Sequence, residues 1–319
     1  QATLAVLEPA STATRSYRQE LTGLGLATVA GLGMALGLVG LSAVRDDRFY
    51  STAEITEQVE ADLVGQIPDL TALKIPGVPP LLGEADARHW YAESYRSLRS
   101  ALRFYGPQEP RPQVVLITSA VSAEGKSTIA TNLARVLAQG GSRVLLVDGD
   151  LRRGRLHELV SLKRDRGLAD LLQEPGEWNR AFQSNSLPNW TFLSRGRDLP
   201  NPGDLLLSPR WDQLLVRLRE HYDYVLIDSS PIFVADDATT LAPKVDGTLF
   251  VVRNRFSSAR AVREALDLLY QRQARVLGLV LNRVEASTRS YYEYNNTADG
   301  QSHQAPQPAA KSEQEKAED

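Results

Sequence analysis

Residues 113–139 read QVVLITSAVSAEGKSTIATNLARVLAQ, an apolar run, a short polar loop and an amphipathic stretch in direct succession. The first six residues have strand character, and the last thirteen carry apolar side chains at helical spacing. The loop between them ends in Gly125-Lys126-Ser127, the close of a phosphate-binding loop of the Walker A kind. In such a loop the backbone N–H groups and the helix N-terminus cradle phosphates, the lysine reaches the β- and γ-phosphates, and the hydroxyl is a magnesium ligand. Residues 120–128 (Ala120, Val121, Ser122, Ala123, Glu124, Gly125, Lys126, Ser127 and Thr128) are therefore the expected nucleotide cradle. Ala120 stands where the general pattern opens with glycine.

Further along the chain, short apolar runs at 144–148, 191–194, 224–228, 247–252 and 276–282 alternate with helical stretches. Continuous hydrophobic strands alternating with helices predict a mostly parallel sheet covered on both faces, an α/β fold of the P-loop NTPase type. Two of these runs end in acids: VLLVDGDLRR places Asp148 and Asp150, and YVLIDSSP places Asp228, at the carboxyl ends of strands. Ligands of open α/β sheets bind at those ends. One aspartate at a strand end is more often a turn cap. Three around one phosphate loop form a site for a hard divalent cation such as Mg2+. A doublet of acids exceeds the needs of hydrolysis, because one can hold the metal while another accepts a proton from an incoming hydroxyl.

The chain of 319 residues has a net charge of −3, which argues against bulk nucleic-acid binding. It contains no cysteine, which excludes disulfides and thiolate metal sites. From Leu21 to Val44 no charge interrupts LTGLGLATVAGLGMALGLVGLSAV. At helical rise this reaches about 36 Å, enough to cross a bilayer core of roughly 30 Å. The sequence thus divides into an extracytoplasmic segment (1–20), a transmembrane helix (21–44), a juxtamembrane segment and Pro-rich linker (45–85), a nucleotide-binding domain (86–294) and a disordered tail (295–319). Arginines balance across the span, so orientation rests on the ATP-using domain, which belongs on the cytoplasmic face of the inner membrane.

The three motifs together resemble those of the bacterial tyrosine kinases: a Walker A loop, an A′ motif of the form DxDxR (DGDLR, 148–152) and a Walker B strand. The runs GLADLL, LPNPGDLL, VDGTLFVVR and VLGLVLNRV extend the likeness over roughly residues 21–294. The resemblance implies an ATP- and Mg2+-dependent protein-tyrosine autokinase acting in exopolysaccharide or capsule export. It implies that Lys126 and Ser127 bind phosphates and metal, that Asp150 and Asp228 organise the metal, and that Asp148 is the base for the attacking hydroxyl. The acceptors would be Tyr291, Tyr292 and Tyr294 (SYYEYNN, 290–296), phosphorylated between neighbouring subunits. Glu93-x-x-Arg96-x-x-Arg99 matches a helix the family uses for ring-shaped self-association, though taken alone it is a solvated face with an i,i+3 ion pair. Asn282 and Arg283, after the last strand, are candidates for the adenine contact or for a turn cap. Expected partners are the membrane, polysaccharide export machinery, a tyrosine phosphatase and further copies of the chain. A start at Gln1 just before the span is expected of the C-terminal part of a longer protein.

The sequence departs from the family at Ser122-Ala123, where Pro-Gly is common, and at Ser230-Pro231, where Pro-Pro is common. Alanine at a left-handed position of the loop would add strain of about 1 kcal/mol. Two other readings remain at this point. A MinD/ParA-like ATPase switch would carry an extra lysine where Val121 stands. A non-catalytic regulator of polysaccharide chain length would use ATP only structurally or not at all.

Overall fold

The structure is a computed structural model describing residues 17–45, 47–70, 81–83, 89–105, 111–174, 176 and 178–285. It separates into two units, 1–47 and 48–319. In the first unit, helix α1 (Tyr17–Arg45) runs for 29 residues. Its segment Leu21–Leu38 has a mean hydropathy of 1.7, and among the described residues it is the one helix long and apolar enough to cross a membrane.

The second unit is built on an eight-stranded sheet. Strands β2 (Val114–Ser119), β3 (Val144–Asp148) and β6 (Tyr224–Asp228) are buried along their whole length. So is β7 (Gly247–Arg253) up to its last residue. Successive side chains on a strand point to opposite faces, so a strand buried at every position needs cover on both sides. The cores show this alternation. Val114, Leu116, Leu145, Val147, Val225, Ile227, Phe250 and Val252 belong to one core. Val115, Ile117, Val144, Leu146, Leu226, Leu249 and Val251 belong to the other.

Helices α9 (Pro209–His221) and α11 (Ala259–Gln271) close the first core with Trp211, Leu214, Leu218, Val262, Leu266 and Leu269. Helices α3 (His89–Arg103) and α4 (Lys126–Gln139) close the second with Tyr95, Leu98, Ile129, Leu133 and Leu137. Each such side chain contributes roughly 1.5–3 kcal/mol through burial.

With β1 (Leu63–Pro68), β4 (Phe182–Ser184), β5 (Trp190–Leu193) and β8 (Val276–Val284), the strand order is β1-β8-β7-β2-β6-β3-β5-β4. Every pairing is parallel except β4 with β5. All six strands expected from the sequence are present. Two more are added. β1 lies inside the segment read as juxtamembrane and linker, and pairs with β8. β4 is a three-residue antiparallel edge.

The membrane-proximal part of this unit is also integral to it. Phe49, Ile55 on helix α2 (Thr52–Gln58) and Val59 are buried in the first core. Arg255 donates its backbone N–H to the Phe49 carbonyl at 2.8 Å. At the linker's end, the Leu82 amide donates to Asn132 Oδ1 at 2.8 Å, which ties that stretch to α4. The acceptor tyrosines Tyr291, Tyr292 and Tyr294 and the tail lie outside the described residues.

Candidate active site

Parallel strands bring their carboxyl ends to one edge of the sheet, and the three motifs meet there. Asp148 and Asp228 are register partners on β3 and β6, and Asp228 also faces Ile117 of β2, two residues before the loop begins. Gly149 allows the close fit. A Cβ there would meet Ile227 Cγ2 at 2.6 Å and the Asp228 carbonyl at 2.9 Å. Its own amide donates to that carbonyl at 2.7 Å.

Helix α4 begins at Lys126, and Gly125 before it is left-handed with φ 101° and offers no side-chain cap. The first helical amides therefore stay open to an external anion, and the helix dipole favours negative charge there. Ser127 Oγ donates to Asp228 Oδ2 at 2.6 Å, so hydroxyl and carboxylate share one point, as two oxygen ligands of one cation would. Asp228 Oδ1 and Asp148 Oδ1 are buried with no hydrogen-bond partner. Among the described residues no three His, Cys, Asp or Glu side chains gather into a ready metal cage. That composition fits Mg2+, which keeps several waters and is held by one or two protein oxygens together with phosphates.

Burial pushes the Asp228 carboxyl up to about 6, with Lys126 and the Ser127 hydrogen bond pulling the other way. Asp148 is raised well above the ordinary carboxylate range, first by burial and then by the Asp228 charge. An acid crowded in this way is one that a divalent cation relieves.

Asp148 accepts the Leu156 amide at 3.1 Å on Oδ2, while the bare Oδ1 sits against Gly154, where a Cβ would lie 2.1 Å away. The carboxyl is 0% exposed, so the A′ turn covers the group the sequence marks as the base. Asp150 is half-buried, and its Oδ1 accepts the amides of Arg152 and Arg153 at 3.2 and 2.9 Å. Arg152, last of the A′ motif, makes a two-pronged ion pair with buried Asp237 at 3.0 and 3.1 Å. Asp237 lies outside every motif, although the arginine of DxDxR signals that a carboxylate partner exists.

The loop is braced from behind. Glu124 is fully buried; its Oε2 accepts the Val121 amide at 2.8 Å, and its Oε1 accepts the Ser257 hydroxyl. Asn282 Nδ2 donates to the Glu124 carbonyl at 2.8 Å, and its Oδ1 accepts the Arg283 amide at 2.9 Å. In this ligand-free form the Asn282 amide therefore serves the loop. Ser122 and Ala123 form the exposed tip, with Arg253 Nη1 donating to the Ala123 carbonyl at 3.0 Å. Ala123 has φ 67°, the left-handed geometry in which a Cβ is strained. Ala123→Gly is accordingly expected to raise stability by up to about 1 kcal/mol, read from urea unfolding. A loss of stability would refute the strain.

On α3, Arg96 and Glu93 form an exposed ion pair at 3.0 Å, while Arg99 is drawn inward to the Val136 carbonyl at 3.2 Å.

Comparison with known proteins follows the same lines. The profile of the CobQ/CobB/MinD/ParA nucleotide-binding domain matches residues 115–301. A putative tyrosine-protein kinase of Ralstonia nicotianae, EpsB, is 34% identical over 248 residues, covering 76% of this chain and 31% of its own. The tyrosine-protein kinase Etk of Escherichia coli is 34% identical over 202 residues, covering 63% of this chain and 28% of its own. The chain thus spans about a third of the length of these curated relatives. Among solved structures, the Escherichia coli ETK kinase domain superposes with a TM-score of 0.66 at 29% identity, covering 75% of this chain and 97% of that one. The BceF tyrosine kinase domain gives 0.65 at 30%, covering 74% and 99%. A nucleotide cradle, its acids and these likenesses place the chain in the CobQ/CobB/MinD/ParA nucleotide-binding family, among the bacterial tyrosine kinases.

Proposed function

We propose that this chain is an ATP-dependent protein-tyrosine autokinase that transfers the γ-phosphoryl group to Tyr291, Tyr292 and Tyr294 of neighbouring subunits. The carrying observation is the Ser127–Asp228 contact beside an uncapped helix N-terminus that starts at a buried lysine. The loop amides of residues 122–127 and Lys126 bind the phosphates. Ser127, Asp228 and Asp150 hold Mg2+, which when bound neutralises phosphate charge and bridges its oxygens.

Asp148 receives the tyrosine proton. Its raised pKa makes the ionised form a stronger acceptor, closer in basicity to a phenol. Access requires the 150–155 turn to shift away from Oδ1. Lys126 and the bound cation lower the penalty of ionising a carboxyl between two other acids. The bulk of catalysis is positioning and charge neutralisation, as in phosphoryl transfer generally.

The names of the relatives and the apolar helix α1 support a setting at the inner membrane, with the catalytic unit cytoplasmic. There it would govern exopolysaccharide or capsule export, assembling as a ring through Glu93, Arg96 and Arg99 and being reset by a tyrosine phosphatase. The test is the full chain in detergent with labelled Mg·ATP. Label on tyrosine is expected, most of it lost when Tyr291, Tyr292 and Tyr294 become Phe. ATP turnover without phosphotyrosine would instead identify a nucleotide switch, and neither activity a structural regulator.

A further inference from the structure

The turn that follows Asp150 opens onto a second cavity, separate from the loop of residues 120–128. It measures about 510 Å³ and is lined by Arg152, Arg153, Arg155, Arg164 and Arg195, with His157 and Glu158 beside them. Arg152 is held by Asp237. Arg164 and Arg195 share Asp198, at 3.1 and 2.7 Å. Arg153 has no carboxylate against its guanidinium among the described residues, and Arg155 only the distant Glu158 at 4.0 Å. Two nitrogens of this lining, Arg195 Nε and His157 Nδ1, are buried with no hydrogen-bond partner. The Arg195 side chain is 8% exposed and fixed by its Nη1 bond to the Leu151 carbonyl at 3.1 Å. Burial lowers the pKa of His157, so at neutral pH it contributes a neutral ring.

A buried donor without an acceptor is costly, and such groups in a native structure mark an absent partner. Forked guanidinium donors converging on one space match the oxygens of a phosphate. No aromatic ring lines the cavity, so it offers no stacking surface for a nucleobase, while its volume exceeds that of a bare phosphate.

We infer that this cavity is a site for a phosphate monoester, bound by Arg153, Arg155 and Arg195 beside the transfer centre. The anion is either inorganic phosphate or a phosphotyrosine side chain presented by a second copy of the chain. The second source alone rests on the kinase reading. In that case a phosphorylated neighbour would be retained next to the site that modified it.

The experiment is calorimetric titration of the full chain in detergent, with saturating Mg·ADP to fill the phosphate loop. The probes are inorganic phosphate, phenyl phosphate and a 288–296 peptide phosphorylated on Tyr292. Saturable binding is expected, weakened at least about tenfold in Arg153→Ser/Arg155→Ser, the loss of one charge-assisted contact. Arg155→Glu is the second variant, at an exposed position where folding is not at stake, and should weaken binding at least as much. Tighter binding of phenyl phosphate and peptide than of phosphate assigns the site to phosphotyrosine; equal binding assigns it to the free anion. The inference is overturned if no probe saturates, or if the arginine variants bind like the parent. It is equally overturned if binding disappears in Lys126→Met instead, which would put the anion in the loop. No readout requires phosphoryl transfer, so a chain that is not a kinase can still pass or fail.

Discussion

Lys126→Met is expected to lower phosphotyrosine formation by at least about 10²-fold, the scale for removing a single preorganised charge from a transfer site. The side chain is 8% exposed and sits at the first position of α4. Two effects combine. The ammonium that would meet the β- and γ-phosphates is lost. The cation that lowers the Asp228 pKa is lost too, so Asp228 is ionised less readily and holds Mg2+ less well. The fold should survive, because Met keeps the aliphatic length and packs in the same channel. A variant with an unchanged thermal melt and near-parental phosphotyrosine would remove Lys126 from the chemistry.

Asp228→Asn separates function from stability in the opposite sense. For an acid whose folded pKa is raised, the native state binds more protons than the unfolded chain between the two pKa values. Stability is therefore full below the unfolded value and falls as pH rises through the folded one. For Asp228 the window runs from 3.8 to about 6. The span corresponds to about 3 kcal/mol. Asparagine keeps an acceptor for Ser127 and removes the charge. In the absence of nucleotide and metal, the variant should gain on the parent by up to about 3 kcal/mol between pH 4 and pH 7, measured by urea unfolding at both. Phosphotyrosine formation should fall by about 10²-fold or more, as for other lost transition-state ligands. A parent–variant difference independent of pH would show that Asp228 is not strained by its surroundings. Sites tuned for chemistry often hold such strain at the expense of stability.

The sheet was largely legible because its central strands are continuous apolar runs, a pattern that burial on both faces enforces. β1 escaped because LVGQIP carries a glycine, a glutamine and a proline amid polar residues, and because its partner β8 lies some two hundred residues away. β4, FQS, is too short to show any period. In the site, Gly125, Lys126, Ser127 and the strand-end acids were readable because each motif is local and its order along the chain fixes its place. What escaped is the packing that joins distant segments. Glu124 meets Ser257 across 133 positions. Arg152 meets Asp237 across 85. Residue spacing carries no signal for either. Asn282, a candidate for the adenine, turns out to brace Glu124, since only coordinates show that its amide lies beneath Gly125.

The pairing of β1 with β8 has a practical consequence for anyone shortening the chain. Beginning a soluble piece at residue 74, in the Pro-rich run, would strip away Leu63–Pro68 and leave VLGLVLNRV as a bare flank of the sheet. Nine residues of unpaired backbone, six of them fully enclosed in the intact chain, form a template for sticking to another copy. The same cut would delete Phe49, Ile55 and Val59 and hollow one core. A piece starting at Arg48 keeps both, and should stay dispersed where the shorter one precipitates.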